Sequence, residues 1–152
     1  REAWPEMLEI IRSYRGRGLR GVFHAFSDTI ETYRELRTLG EFAFGIGGVV
    51  TFRKSRLAEV VREMDPEDLV LETDCPYLTP VPHRGERNES AYVRHVCEAV
   101  ARILELDPAQ VARMTSETAA RIFGPGKPAM EKPATESPAN RGKTTETNPQ
   151  RP

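Results

Sequence analysis

The chain has little to cross-link it. Its 152 residues include only two cysteines, Cys75 and Cys97, without the density or spacing of a disulfide framework or a zinc knuckle, so both read as reduced thiols and neither as a ligand. No apolar run approaches the roughly 20 residues of a membrane-spanning helix, and no basic, apolar and small-residue regions stand in signal-peptide order at the start. Those absences imply a cytoplasmic protein that does not enter the membrane. Charge of one sign is also lacking: the net charge is −1, so nucleic-acid binding would have to come from a local basic patch.

Large apolar side chains nearly vanish after Gly124. Residues 125–152 are rich in Pro, Thr, Glu, Lys and Asn, carry five basic and three acidic residues, and leave about −3 on residues 1–124. Such a segment cannot bury enough surface to offset its ordering entropy, so it reads as a disordered tail behind a folded body of residues 1–124.

Within the body, short apolar stretches alternate with helical patterns. Gly18–Phe23, Phe42–Val50 and Leu69–Glu72 have the length of buried strands. Between them, Ile30, Tyr33, Leu36 and Leu39 share a helical face that stops at Gly40, read as a left-handed terminator. Leu57, Val60, Val61 and Met64 share another, starting near Ser55. An opening helix is expected over about Pro5–Tyr14, with Met7, Leu8, Ile10 and Ile11 inward. Closing helices are expected over Ser90–Glu105, Pro108–Met114 and Ser116–Phe123, with Asp107 capping the start at Pro108.

The order α-βα-βα-βα implies an α/β fold with right-handed crossovers and a parallel sheet. Strand ends fall about 25 residues apart, close to the repeat of an eight-unit barrel, although a doubly wound sheet stays open. The barrel is favoured because His24 and Asp74 each follow a strand, which is the catalytic face of a barrel. Imidazole and carboxylate together suit Zn²⁺, Mn²⁺ or a similar ion. The alternatives are a histidine satisfied structurally and a loop carboxylate that caps the next turn, and two ligands are too few for tight binding.

Two further features invite a functional reading. Pro80-Val81-Pro82-His83-Arg84-Gly85-Glu86-Arg87-Asn88-Glu89 frames one His, two Arg and one Asn between rigid residues, and loops after the last strands of a barrel often hold phosphate. Arg84 and Arg87 are the phosphate candidates; the alternative is a solvated loop whose arginines pair with Glu86 and Glu89. Gly45, Gly47 and Gly48 lack both a Walker lysine and dinucleotide spacing, so close backbone approach beneath the site is the better reading.

These segments, in this order, resemble the TatD-type deoxyribonuclease family of metal-dependent hydrolases. The resemblance rests on Gly21-Val22-Phe23-His24-Ala25-Phe26-Ser27, Gly45-Ile46-Gly47-Gly48, Leu71-Glu72-Thr73-Asp74-Cys75-Pro76-Tyr77-Leu78 and the loop over residues 80–89, and covers nearly all of residues 1–124. It implies a TIM-type (β/α)8 barrel that hydrolyses DNA phosphodiester bonds, often as a 3′-to-5′ exonuclease, with a centre of two divalent ions such as Mg²⁺, Mn²⁺ or Zn²⁺. On that likeness His24 closes the sixth strand and Asp74 the eighth. Both would be metal ligands, and Asp74 would also orient or deprotonate the attacking water. Glu72 and Glu89 would support the ligands from behind, and His83, Arg84, Arg87 and Asn88 would bind substrate.

The resemblance also implies missing parts. The family's His-x-His after the first strand, Glu after the fourth and His after the fifth have no counterpart, and Arg1-Glu2-Ala3 looks like the residues just after that last His. The expectation is therefore the C-terminal part of a barrel, about strands 6–8, needing the N-terminal half as partner and inactive alone. Ala25, Asp28, Cys75, Ser90 and Thr118 stand where Cys, Gly, Ala, Pro and Asn are usual. Competing readings are a lactonase or amidase on the same barrel and a non-catalytic partial-barrel interaction module.

Overall fold

The computed structural model describes residues 4–124. The expected tail over 125–152 and the Arg1-Glu2-Ala3 stretch lie outside the described residues. Eight regular elements run in the order α1 (Trp4–Ser13), β1 (Arg20–Phe23), α2 (Ile30–Arg37), β2 (Glu41–Ile46), α3 (Leu57–Glu63), β3 (Leu69–Leu71), α4 (Val93–Leu104) and α5 (Pro108–Phe123), with short 3-10 turns at Gly48–Thr51, Pro66–Asp68 and Ser90–Tyr92. The strands form one parallel sheet in the order β1-β2-β3, with Phe23 beside Phe44 and Ile46 beside Leu71. The α/β class and the parallel pairing follow the sequence reading.

Alternation along β2 sorts the two faces. Phe44 and Ile46 are fully buried against Tyr33 and Leu36 of α2, Leu57 and Val61 of α3, and Val96 and Val100 of α4, in one apolar core that also holds Phe26 and Leu69. The opposite face is made of small side chains, Val22, Ala43 and Val70, and meets only Ile122 and Ala119 of α5. Burial at about 25 cal/mol per Å² of apolar surface makes the aromatic face the main source of stability. α1 is the least embedded helix: it buries no residue fully, and Ile10, expected inward, is 60% exposed, while Trp4, Leu8 and Ile11 touch the core.

Three boundaries differ from the sequence reading. α2 ends at Arg37 with Thr38 as a right-handed cap, so Gly40 is not a left-handed terminator; a Cβ there would run into the Leu19 carbonyl, which makes close approach its reason. β2 stops at Ile46, because the backbone from Gly48 to Thr51 turns as a 3-10 segment. The last two of the three expected closing helices, Pro108–Met114 and Ser116–Phe123, are one. Thr115 and Ser116 donate their hydroxyls back to the Val111 and Ala112 carbonyls, so polar residues that suggested a break sit within a continuous helix. Its start is as expected, with Asp107 and Gln110 forming a reciprocal cap.

α5 braces the sheet at the end away from His24 and Asp74. Arg20, at the start of β1, donates to the Arg121 and Ile122 carbonyls, and Thr118 and Arg121 donate to the Glu67 carbonyl just before β3. With the strand beginnings held there, the loops that follow the strands are left to build a site.

Candidate active site

His24 is the first residue after β1 and projects between two carboxylates carried by the segment after β3. Its Nδ1 lies 3.0 Å from Glu72 Oε2, and its Nε2 lies 3.1 Å from Asp74 Oδ1. The carboxylates are mostly buried, at 17% and 18% side-chain exposure, while the imidazole is 66% exposed. Glu72, expected to support the ligands from behind, is on the same side as His24. It lies across Gly45, where any side chain would occupy the space of its carboxylate.

Glu72 acts on two groups at once. Its Oε2 accepts from His24 Nδ1, and its Oε1 accepts from the Ala25 N–H at 2.5 Å. Ala25 has a φ of +49°, a left-handed conformation that costs a non-glycine residue about 1 kcal/mol or more, and the Glu72 bond holds it there. The second strained residue of this region, Leu78 (φ +51°), lines the same cleft. Strain on both sides of one opening is the pattern expected where a fold positions reacting groups.

The protonation of His24 follows from its neighbours. Hydrogen bonding to Glu72 is the largest cause, followed by the charge of Glu72 and then that of Asp74, and together they raise the imidazole above its ordinary range. With Nδ1–H donated to Glu72, a neutral imidazole presents an Nε2 lone pair to the Asp74 oxygen. Two acceptors 3.1 Å apart repel unless a proton or a cation lies between them.

That arrangement fits a divalent ion. Two donors each about 2.1 Å from one ion stand about 3 Å apart at neighbouring corners of its coordination sphere. A ligating histidine whose other nitrogen donates to a carboxylate is the usual support for such a ligand. Among the described residues, however, no group of three or more His, Cys, Asp and Glu side chains converges to hold a metal. His24 Nε2 and Asp74 would therefore offer two donors to such an ion, and no third joins them among the described residues.

The loop after β3 is fastened by Asn88. Its Nδ2 donates to Thr73 Oγ1 at 3.1 Å and to the Tyr77 carbonyl at 2.6 Å, and its N–H donates to the Pro76 carbonyl. Asn88 is 3% exposed, and its Oδ1 has no protein partner. Asn88 thereby ties the loop over residues 86–90 to the segment carrying Asp74. His83 is also engaged, stacked on Tyr92 at 4.2 Å and 3.0 Å from Glu86 Oε2. Arg84 lies over the Phe52 ring at 3.8 Å and donates to the Thr79 carbonyl. Arg87 is exposed to solvent. Glu89 is exposed, and its carbonyl accepts from Tyr92 N–H.

A cleft of about 300 Å³ opens over the pair, walled by Trp4, Met7, Ala25, Ser27, Gly47, Val49 and Leu78. The TatD-related DNase family profile matches residues 1–124. The chain belongs to that family. Its TatD-type relatives include the uncharacterised metal-dependent hydrolase YabD of Bacillus subtilis, 37% identical over 124 residues, and YcfH of Escherichia coli K12, 38% identical over the same length. Each alignment covers 81% of this chain but 48% and 46% of the relative, so the chain spans about half the length of the curated relatives it matches.

Solved TatD structures share the fold. The TatD homologue YJJV from Escherichia coli superposes with a TM-score of 0.72 at 20% identity, covering 80% of this chain and 47% of that one. A TatD family hydrolase from Entamoeba histolytica gives 0.70 at 19%, covering 83% and 49%. Both curated relatives are named as metal-dependent hydrolases. No helix among the described residues is long and apolar enough to cross a membrane.

Sequence reading missed the walls of the cleft. Trp4, Val49 and Leu78 were not singled out, and the run Arg53-Lys54-Ser55-Arg56 beside them was passed over. The signal was there: three positive charges in four residues, directly after a strand-end loop.

Proposed function

We propose that this chain is the C-terminal part of a TatD-type (β/α)8 barrel that hydrolyses phosphodiester bonds in DNA, as a 3′-to-5′ exonuclease, once the N-terminal half completes it. The observation that carries the reading is His24 held by Glu72 at Nδ1 and facing Asp74 from Nε2. The sequential parallel order β1-β2-β3, with β1 and β3 each paired on one side among the described residues, supports an arc of a larger barrel.

A divalent ion held by His24, Asp74 and ligands from the other half would lower the pKa of a bound water and polarise the phosphoryl oxygen. This chain's own residues supply the rest. Glu72 fixes the imidazole so that Nε2 faces the cleft, and Asp74 offers its carboxylate to orient the attacking water and take its proton. Asn88 keeps the Asp74 segment in place, and the exposed Arg87 is available to a substrate phosphate.

The test is an intact barrel containing this chain, given single-stranded DNA in parallel with lactone and amide substrates under Mg²⁺, Mn²⁺ and Zn²⁺. Metal-dependent release of mononucleotides from the 3′ end supports the reading. Turnover of lactone or amide with DNA left whole overturns it.

A further inference from the structure

Beside the His24–Asp74 cleft lies a second one of about 510 Å³, and Trp4, Ser27, Val49 and Leu78 border both. Shared walls make the two a continuous groove leading away from the reacting groups. Its far part is closed by Phe52, Lys54, Ser55 and Asp28. We propose that this second cleft is a subsite for the nucleotide flanking the scissile phosphate, with Trp4 stacking on its base and Lys54 binding its phosphate; the inference rests on the DNA hydrolase reading above.

The argument is the pairing of an aromatic wall with a cationic end. Trp4 is held by Phe23 and Phe26 at 6.0 and 5.9 Å, so its ring is ordered before any ligand arrives. Aromatic rings that border a groove stack on any base, because every base has a π-face. Lys54 is exposed between Arg53 and Arg56, and Arg84 adds a fourth cation over the Phe52 ring. This is a local basic patch on a body that is slightly acidic overall. A lactone or amide would need no such run of charge.

Asp28 limits the occupant. Its Oδ1 accepts from the Thr29 N–H, and its carboxylate lines the far cleft and not the one over His24 and Asp74. A carboxylate repels a second phosphate but accepts hydrogen bonds from a base amino group or a sugar hydroxyl. The subsite therefore takes one nucleotide, with its phosphate at the Lys54 side.

Trp4 is the single tryptophan of the chain, so its emission reports on this groove. The full 152-residue chain is titrated with a (dT)4 oligonucleotide in EDTA, which prevents hydrolysis. The expected result is quenching of Trp4 emission, with Kd raised about fivefold or more by Lys54→Ala and a shallower dependence on salt, since one phosphate contact is lost. An abasic oligonucleotide of equal length is expected to bind about tenfold more weakly, as loss of a stacked base predicts. Trp4→Phe, read by anisotropy of a labelled oligonucleotide, retains most of the binding, whereas Trp4→Ala loses about tenfold.

Absence of quenching at millimolar oligonucleotide, equal affinity of the Lys54→Ala variant, or equal binding of the abasic strand overturns the subsite. The two proposals fail separately. An intact barrel that cleaves DNA with unchanged KM after Lys54→Ala and after Trp4→Ala removes the subsite and keeps the hydrolase. Binding with no cleavage by the intact barrel does the reverse.

Discussion

Glu72 accepts from His24 Nδ1 at 3.0 Å, and with its other oxygen it accepts from the backbone N–H of Ala25, the next residue. One carboxylate thus sets both the ring orientation of the histidine and the strained peptide behind it. Nε2 is left facing Asp74 as a consequence of that double hold.

Removing the Glu72 charge while keeping its shape is expected to weaken metal binding more than stability. In an intact barrel, Glu72→Gln should lower affinity for Mn²⁺ or Zn²⁺ by about 10–100-fold, the usual effect of losing such a partner. Calorimetric titration checks the affinity and thermal unfolding checks the fold. An affinity unchanged within twofold would mean that His24 is not a ligand oriented by Glu72.

Asn88→Ala is expected to destabilise the chain by about 1–3 kcal/mol, because two side-chain hydrogen bonds vanish from a buried position and the Tyr77 carbonyl loses its donor, while Thr73 Oγ1 keeps the Cys75 N–H. Urea denaturation measures the loss. Asn88→Asp keeps the size but replaces the donating amide with an acceptor facing the Tyr77 carbonyl, and should be at least as damaging. A neutral result in both variants would show that the segment carrying Asp74 is held by other contacts.

The two thiols should differ in reactivity. Cys75 is exposed beside Asp74, whereas Cys97 is partly buried, and burial followed by the nearby Glu98 raises its pKa. A raised pKa means less thiolate at every pH below it, so a disulfide reagent at pH 8 should modify Cys75 first and Cys97 several-fold more slowly. Peptide mapping after partial labelling distinguishes them. Equal rates would contradict the packing of Cys97, on α4, against the Pro108 carbonyl at the start of α5.

The alternation of short apolar strands with helical faces made the α/β class and the parallel sheet legible, since 2- and 3.6-residue periods are local. His24 and Asp74 were legible as residues at strand ends, and their meeting required only that neighbouring strands pair in order. The supporting role of Glu72 came from the resemblance, but its side was not legible: that depends on the short β3 ending at Leu71, which no local period fixes. The resemblance implies a substrate role for Asn88, Arg84 and His83, but what packs around them was not legible. Asn88 is buried as a fastener, and Arg84 and His83 lie on the rings of Phe52 and Tyr92, contacts that no local pattern shows. Thr115 and Ser116 misled in the opposite direction, as hydroxyls satisfied by their own helix leave no break.

The central claim is that His24 and Asp74 belong to a metal site for DNA hydrolysis that the rest of the barrel completes. Its most direct test is cleavage of single-stranded DNA by the intact barrel, as wild type, His24→Ala and Asp74→Asn, with divalent metal and with EDTA, beside the 152-residue chain alone. The account predicts metal-dependent cleavage by the wild type, a loss of at least about 100-fold in either variant and under EDTA, and no appreciable cleavage by the chain alone. Cleavage that survives both substitutions, or full activity from the chain alone, would contradict it.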